Sequence, residues 1–206
     1  IYNFNTLKKK LEKEGVLFKG SGDTEVFLEA LEKWGIEEAL RSSYGMFAFA
    51  LWDKKNKQLI LARDRMGEKP LYYGKMRGAF IFGSELKALM TFPGFKKDIN
   101  QEALAAFFKY NYVPAPLCIF KHCFKLMPGK VLRLDENGRT LEHKSYWDLK
   151  SLAIESSQYE FANYQECKQR TREVFREVIN DLMISDVPLG AFLSGGIDSS
   201  LIASLM

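Results

Sequence analysis

The chain contains no apolar run approaching the roughly 20 residues that a bilayer span requires, and its first residues lack the charged-then-apolar layout of a signal peptide. Its three cysteines, Cys118, Cys123 and Cys167, include no CxxC pair, and its two histidines, His122 and His143, stand in no HExxH or paired-ligand spacing. Neither a zinc site nor a disulfide framework can be built from that inventory. Reduced thiols in a cytoplasmic protein are the expected state. Charge of one sign is also scarce: Lys+Arg 30 against Asp+Glu 26 leaves a net +4. The small clusters at Lys8 to Lys10, Lys54 to Lys57, and Lys96 with Lys97 read as solvated turns or helix faces. Counterion-release binding needs a concentrated basic surface, so neither nucleic acid nor a membrane is an expected partner. The GxxxxGK[ST] pattern is absent, which disfavours an NTPase with a P-loop lysine. Gly20-Ser21-Gly22 is a lone GxG and reads as a turn.

What is present suits a globular protein: 206 residues, 47% of them hydrophobic, room for one substantial domain and the beginning of another. Val26, Phe27, Ala30, Leu31 and Trp34 recur at helical spacing, with Ser21 or Asp23 available as cap and Gly35 as the stop. Met46 to Trp52 is an unbroken apolar strand, expected to be covered on both faces. A turn at Asp53 to Lys57 leads to a second strand, Gln58 to Arg63. Leu71 to Gly74 and Phe80 to Gly83 repeat the hairpin pattern, Glu85 to Met90 reads as a short helix, and Gln101 to Tyr110 as a longer one. Turn residues at Met127-Pro128-Gly129 and Asp135 to Gly138 bound a last pair of strands. Together these predict an α+β domain with two layers of sheet between helices over residues 1–150. Beyond it, Leu149 to Phe161 has the look of a linker. A helix follows from Tyr164 to Met183, then an apolar strand from Val187 to Leu193.

That strand would deliver the chain to Ser194-Gly195-Gly196-Ile197-Asp198-Ser199-Ser200. Two glycines allow close backbone approach to a ligand, hydroxyls sit where a helix begins, and the helix start favours an anion. The run has the ingredients of a phosphate cradle. Asp198 within it could hold Mg²⁺, which prefers a carboxylate plus phosphate oxygens.

The longer stretch from Val187 to Ser200, with Ser185-Asp186 before it, resembles the pyrophosphate-binding loop of glutamine-dependent asparagine synthetases of the asparagine synthase B type. Further matches follow the same family order. Ile1 to Phe4 is similar to the end of NGEIYN, Gly22 to Val26 to SDTEV, and Tyr44 to Asp53 to GMFAFALWD. Ala62 to Tyr73 is similar to ARDRxGxKPLYY, and Phe82 to Leu89 to FxSExKAL.

The resemblance implies a class II glutamine amidotransferase domain of the αββα Ntn-hydrolase type, residues 1–150. Residues 151–206 would then be a linker and the first helix, strand and loop of an α/β adenine-nucleotide-binding domain. It implies a protein that releases ammonia from glutamine at an N-terminal cysteine, then uses ATP and Mg²⁺ to activate aspartate as an acyl-adenylate, giving asparagine, AMP and pyrophosphate. Glutamine, aspartate and ATP are the implied small-molecule partners, with a homodimer as a possible assembly. Carried onto this sequence, Asp23 would recognise the glutamine α-amino group, a natural pairing of carboxylate and ammonium, although the same position suits a helix cap. Ser194, Gly195, Gly196 and Ser199 would cradle the ATP phosphates, the backbone at Phe192 and Leu193 would touch the nucleotide, and Asp198 would act through the metal. Arg63, Asp64, Arg65 and Lys69 read first as a structural ion-pair network. The family's N-terminal cysteine is not among these 206 residues, which begin at Ile1, and none of the three cysteines has the free amine beside it. The chain is therefore expected to be an internal, inactive piece of an active parent. Open alternatives are a related amidotransferase or β-lactam synthetase acting on another carboxylate, and a degenerate, non-catalytic module.

Overall fold

Strand periodicity governs the middle of the chain and helical periodicity its two ends, and the computed structural model, which describes all 206 residues, follows that division. Two compact units result: residues 31–148 with Ile1, and residues 2–30 with 149–206. No helix is long and apolar enough to cross a membrane.

In the first unit two antiparallel sheets form. One has four strands in the order β1 (Ala48–Asp53), β2 (Gln58–Arg63), β6 (Lys130–Leu134), β7 (Thr140–Ser145). The other has three, in the order β4 (Ala79–Gly83), β3 (Tyr72–Met76), β5 (Cys123–Lys125). Alternation decides which side chains meet between them. Leu61 of β2 and Leu132 and Leu134 of β6 pack with Leu71, Leu126, Tyr73 and Phe80 from the second sheet's side. Burying each such leucine contributes roughly 2–3 kcal/mol. On β3 the opposite parity carries Tyr72 and Met76 into a separate cluster with Leu89, Cys118 and Cys123, under the short helix α3 (Leu86–Met90). The last turns of α2 (Asp23–Ser42) are tied to the four-stranded sheet by an ion pair between Glu37 and Lys144 of β7. These observations make the unit α+β, with two sheet layers flanked by helices, as the sequence led us to expect.

Local chemistry explains most element boundaries. The β1–β2 turn is held by Asp53, whose Oδ1 accepts from Lys55 N at 2.9 Å and Asn56 N at 3.0 Å. The β3–β4 hairpin turns at Arg77 (φ 49) and Gly78 (φ 81), the two left-handed residues that match strand twist. The helix α4 (Gln101–Tyr110) is capped by Asn100 Oδ1, which accepts from Glu102 N at 3.0 Å, and closes at Asn111 in the left-handed region. Gly35 (φ 78, ψ 170) breaks α2 where a stop was expected, yet helix resumes and runs on to Ser42.

Three expectations need correction. The strand at Met46 to Trp52 is not covered on both faces: along β1 the side chains of Ala50 and Trp52, which share one face, are exposed, Trp52 by 47%, and the strand also lies at the sheet's edge with only β2 beside it. The supposed linker at Leu149 contains the helix α5 (Leu149–Ser156), since Leu149, Lys150, Leu152, Ala153 and Glu155 are good helix formers and outnumber its two serines. Residues 187–193 form no strand, for an extended segment becomes one only with a ladder partner, and both sheets lie within residues 48–145. The second unit is otherwise helical, with α1 (Phe4–Lys13), α6 (Tyr164–Leu182) and α7 (Ile197–Leu205).

Candidate functional site

Asp23 is the first residue of α2 and is half-buried. Neither it nor Ser21 caps the helix in the expected way. Gly22 takes that position, its carbonyl accepting from Val26 N at 3.5 Å. The side chain that organises the helix start is Glu25, which reaches back to accept from Lys19 N at 2.8 Å and Gly20 N at 2.6 Å. This is the returning half of a capping box, displaced toward the preceding loop. Those backbone hydrogen bonds hold the Glu25 carboxyl below its ordinary range. Gly20 is needed for the approach, because a Cβ there would lie 2.8 Å from Glu25 Oε2. Lys8 Nζ adds a bond to Gly20 O at 3.3 Å. The loop before Asp23 is thus fixed on both sides, and the carboxylate is presented in a helix's first turn, where backbone N–H groups favour its charged form.

The Ala62-to-Tyr73 stretch turns out to be a braced loop. Asp64 is fully buried, and its carboxylate accepts from Glu68 N and Lys69 N, both at 2.9 Å, and from Phe47 N at 3.3 Å. The Asp64 carbonyl accepts from Gly129 N at 2.9 Å. Arg63 donates through Nε to Lys69 O at 2.8 Å, through Nη1 to Leu126 O at 2.7 Å, and through Nη2 to Gly67 O. Arg65 Nη2 donates to Arg41 O at 2.7 Å and Ser43 O at 3.1 Å. Arg63, Asp64 and Arg65 are bonded to backbone groups rather than to one another in side-chain ion pairs, although the buried Arg65 Nε has no partner. Burial also lowers the Arg63 guanidinium's pKa, against the pull of nearby Asp64. Gly67 (φ 71) completes the loop, since a Cβ there would sit 2.7 Å from Pro128 Cγ and 3.0 Å from Arg63 Cζ. Sequence reasoning missed how many backbone groups one buried aspartate gathers. The signal available was its place directly after a strand, before a Gly and a Pro.

The glycine loop is local and exposed. Gly195 has φ 79, a conformation that only glycine adopts without strain. Gly196 is the N-cap of α7, with no side chain filling the capping position. Ser194 Oγ and Ser199 Oγ lie 3.0 Å apart, and Ser199 Oγ donates to Gly196 O at 3.1 Å. The hydroxyls therefore fold the loop over the helix start, leaving the N–H groups of the first turn without intrahelical acceptors. Asp198 lies in that turn, while Phe192 is 101% and Leu193 66% exposed. The seven residues named from sequence for ATP come together as one loop; Asp23 belongs to a different segment of the chain. No group of three His, Cys, Asp or Glu side chains converges on a metal-sized site anywhere. A divalent cation at Asp198 would therefore take most of its oxygen ligands from a bound phosphate, as Mg²⁺ commonly does.

The sequence that builds this arrangement matches known families. The chain belongs to the glutamine amidotransferase domain family, whose family model matches residues 1–147. Residues 170–206 match the asparagine synthase family model. Two curated relatives from Bacillus subtilis (strain 168) align over the whole chain. They are asparagine synthetase [glutamine-hydrolyzing] 3, 34% identical with 32% of its length covered, and asparagine synthetase [glutamine-hydrolyzing] 1, 35% identical with 31% covered. The chain thus spans about a third of these relatives. Among solved structures, the glutamine phosphoribosylpyrophosphate amidotransferase from B. subtilis, complexed with ADP and GMP, aligns with 71% of this chain and 27% of its own at 22% identity and a TM-score of 0.48.

Proposed function

We propose that the whole protein is a glutamine-hydrolysing asparagine synthetase, in which residues 1–150 form the glutamine amidotransferase domain and residues 151–206 begin the synthetase domain. The observation that carries this reading is the succession, in one chain, of an amidotransferase match over residues 1–147 and an asparagine synthase match over residues 170–206. Glutamine is hydrolysed to ammonia in the first domain. In the second, ATP adenylates the side-chain carboxylate of aspartate, and ammonia displaces AMP to give asparagine, with pyrophosphate released in the adenylation.

Asp23, at the first residue of α2, receives the α-ammonium of glutamine in a charge-assisted contact. Ser194, Gly195, Gly196 and Ser199 surround the ATP phosphates, with the free N–H groups of the first turn of α7 as donors. The backbone at Phe192 and Leu193 lies along the nucleotide. Asp198 contributes one carboxylate oxygen to a Mg²⁺ ion otherwise held by phosphate. The cytoplasm, where reduced thiols persist, is the proposed compartment, and a homodimer the proposed assembly. Cys118 and Cys123 are buried and Cys167 is partly so; none takes the role of glutaminase nucleophile.

Supplying the full-length protein with amide-¹⁵N glutamine, aspartate and ATP tests the proposal. ¹⁵N-labelled asparagine should form with one AMP and one pyrophosphate per turnover. Release of ADP and phosphate, or transfer of label to a different carboxylate while aspartate stays untouched, would overturn it.

A further inference from the structure

Three separate segments of the 31–148 unit bring basic side chains to one small cavity. Arg77 comes from the β3–β4 turn, Lys96 from the loop after α3, and His122 from the residue before β5. Together with Lys75, Met76 and Gly94 they line about 190 Å³. No carboxylate lines it. Some cations elsewhere do meet acids, among them Lys57 with Glu136 at 3.2 Å, Arg133 with Glu142 at 3.0 Å and Arg170 with Glu173 at 3.2 Å. Lys75, Arg77, Lys96 and His122 make no ion pair and no side-chain hydrogen bond. All four are exposed, so their charges are hydrated and open to an anion arriving from solvent.

Arg77 is also held in place by shape. Its turn conformation is fixed by the following Gly78, and its guanidinium lies flush on the backbone of Gly94 (φ 93). A Cβ at Gly94 would fall 2.2 Å from Arg77 Nε and 2.5 Å from Cζ, so any other residue there would evict the side chain. The result is a planar fork of five N–H donors, positioned but unbonded. That fork matches an oxyanion through paired hydrogen bonds. Size narrows the ligand. A water occupies about 30 Å³, so 190 Å³ admits a tetrahedral oxyanion with a few waters; enclosing a drug-sized molecule takes at least about 300 Å³.

We propose that Arg77, Lys96 and His122, with Lys75, form a binding site for a phosphoryl group, either free phosphate or the phosphate end of a larger metabolite whose remainder stays in solvent. The site uses none of the residues assigned above to glutamine or ATP, and it stands whether or not that assignment holds.

Titration of the 206-residue chain with inorganic phosphate at low ionic strength, followed by ¹H–¹⁵N spectra against sodium chloride of matched ionic strength, tests it. The amides of Arg77, Gly94 and His122 should shift saturably with phosphate. Arg77→Gln should weaken binding by at least about 10-fold, the scale of one charge-assisted contact. Gly94→Ala keeps every charge yet displaces Arg77, and should weaken binding to a similar degree. Lys109→Gln, an exposed cation on α4, should leave it unchanged. The spectra also report whether each variant is folded. A nucleoside monophosphate that binds at least tenfold more tightly than phosphate identifies the larger metabolite as the source, and equal affinity identifies the free ion. Chloride reproducing the shifts, shifts that fail to saturate, or equal losses in Arg77→Gln and Lys109→Gln would each overturn the site.

Discussion

Replacing Asp64 by alanine removes the acceptor for three backbone N–H groups at once. The bonds to Glu68 N and Lys69 N, both 2.9 Å, are short and charge-assisted, and the bond to Phe47 N at 3.3 Å is weaker. Hydrogen bonds to a charged group contribute about 1.5–3 kcal/mol each, and the surroundings of a fully buried side chain admit little water to replace them. Two full bonds and a fractional third, less the relaxation of a surface-facing loop, give an expected loss of about 3–5 kcal/mol. Asp64→Asn keeps one oxygen in place and should lose about half as much. Urea unfolding followed by tryptophan fluorescence suits the question, because Trp34, Trp52 and Trp147 all belong to residues 31–148. A loss below about 1 kcal/mol in Asp64→Ala, or a larger loss in Asp64→Asn than in Asp64→Ala, would refute the reasoning from acceptor loss.

Further outcomes follow from single close contacts. Gly74→Ala would place a Cβ 2.4 Å from His122 O and 3.3 Å from Cys123 Sγ, forcing β3 and β5 apart; a loss of about 2–3 kcal/mol is expected, while Gly190→Ala, with nothing within 4 Å, should stay within about 0.5 kcal/mol of the parent in the same unfolding assay. The Cys118 thiol, bonded by Cys123 and by backbone N–H groups against the opposing effect of burial, is lowered to about 7, and Cys123 is raised by the same contact. Absorbance at 240 nm should therefore show one thiolate forming near pH 7, and Cys123→Ala, which removes the donor, should move that step upward. Glu25 has a folded pKa below its unfolded value, so the order it imposes is fully present above about pH 4.3 and is lost as pH falls through the folded pKa. Amide exchange at Lys19 and Gly20 should accelerate beyond the intrinsic pH trend in that window, and Glu25→Gln should abolish the extra acceleration.

Elements whose signals are local were legible in the sequence. Both ends of β2 and α4 fall where the sequence pattern places them, and the hairpin of β3 and β4 follows from apolar runs around a glycine turn. Long-range decisions were not. Whether Met46 to Trp52 is central or at an edge depends on which strands pair beside it, and β5, three residues long, exists only because Gly74 lets Cys123 approach β3. The glycine loop was readable because its residues are contiguous. Asp64 looked like one charge among several, since nothing in its neighbours' identities reveals that three N–H groups converge on it. The basic cavity was invisible for the same reason, its basic residues being separated by up to 47 positions, from Lys75 to His122.

Separating the two proposed half-reactions in the full-length protein is the most direct trial of the functional reading. Asp23→Asn should raise the KM for glutamine by about 30- to 150-fold, the scale of about 2–3 kcal/mol for a charge-assisted contact, and leave synthesis driven by added ammonia unchanged. Asp198→Ala should abolish synthesis from either nitrogen source while glutamine hydrolysis persists. Equal loss of glutamine-driven and ammonia-driven synthesis in Asp23→Asn, or ammonia-driven synthesis surviving in Asp198→Ala, would contradict it.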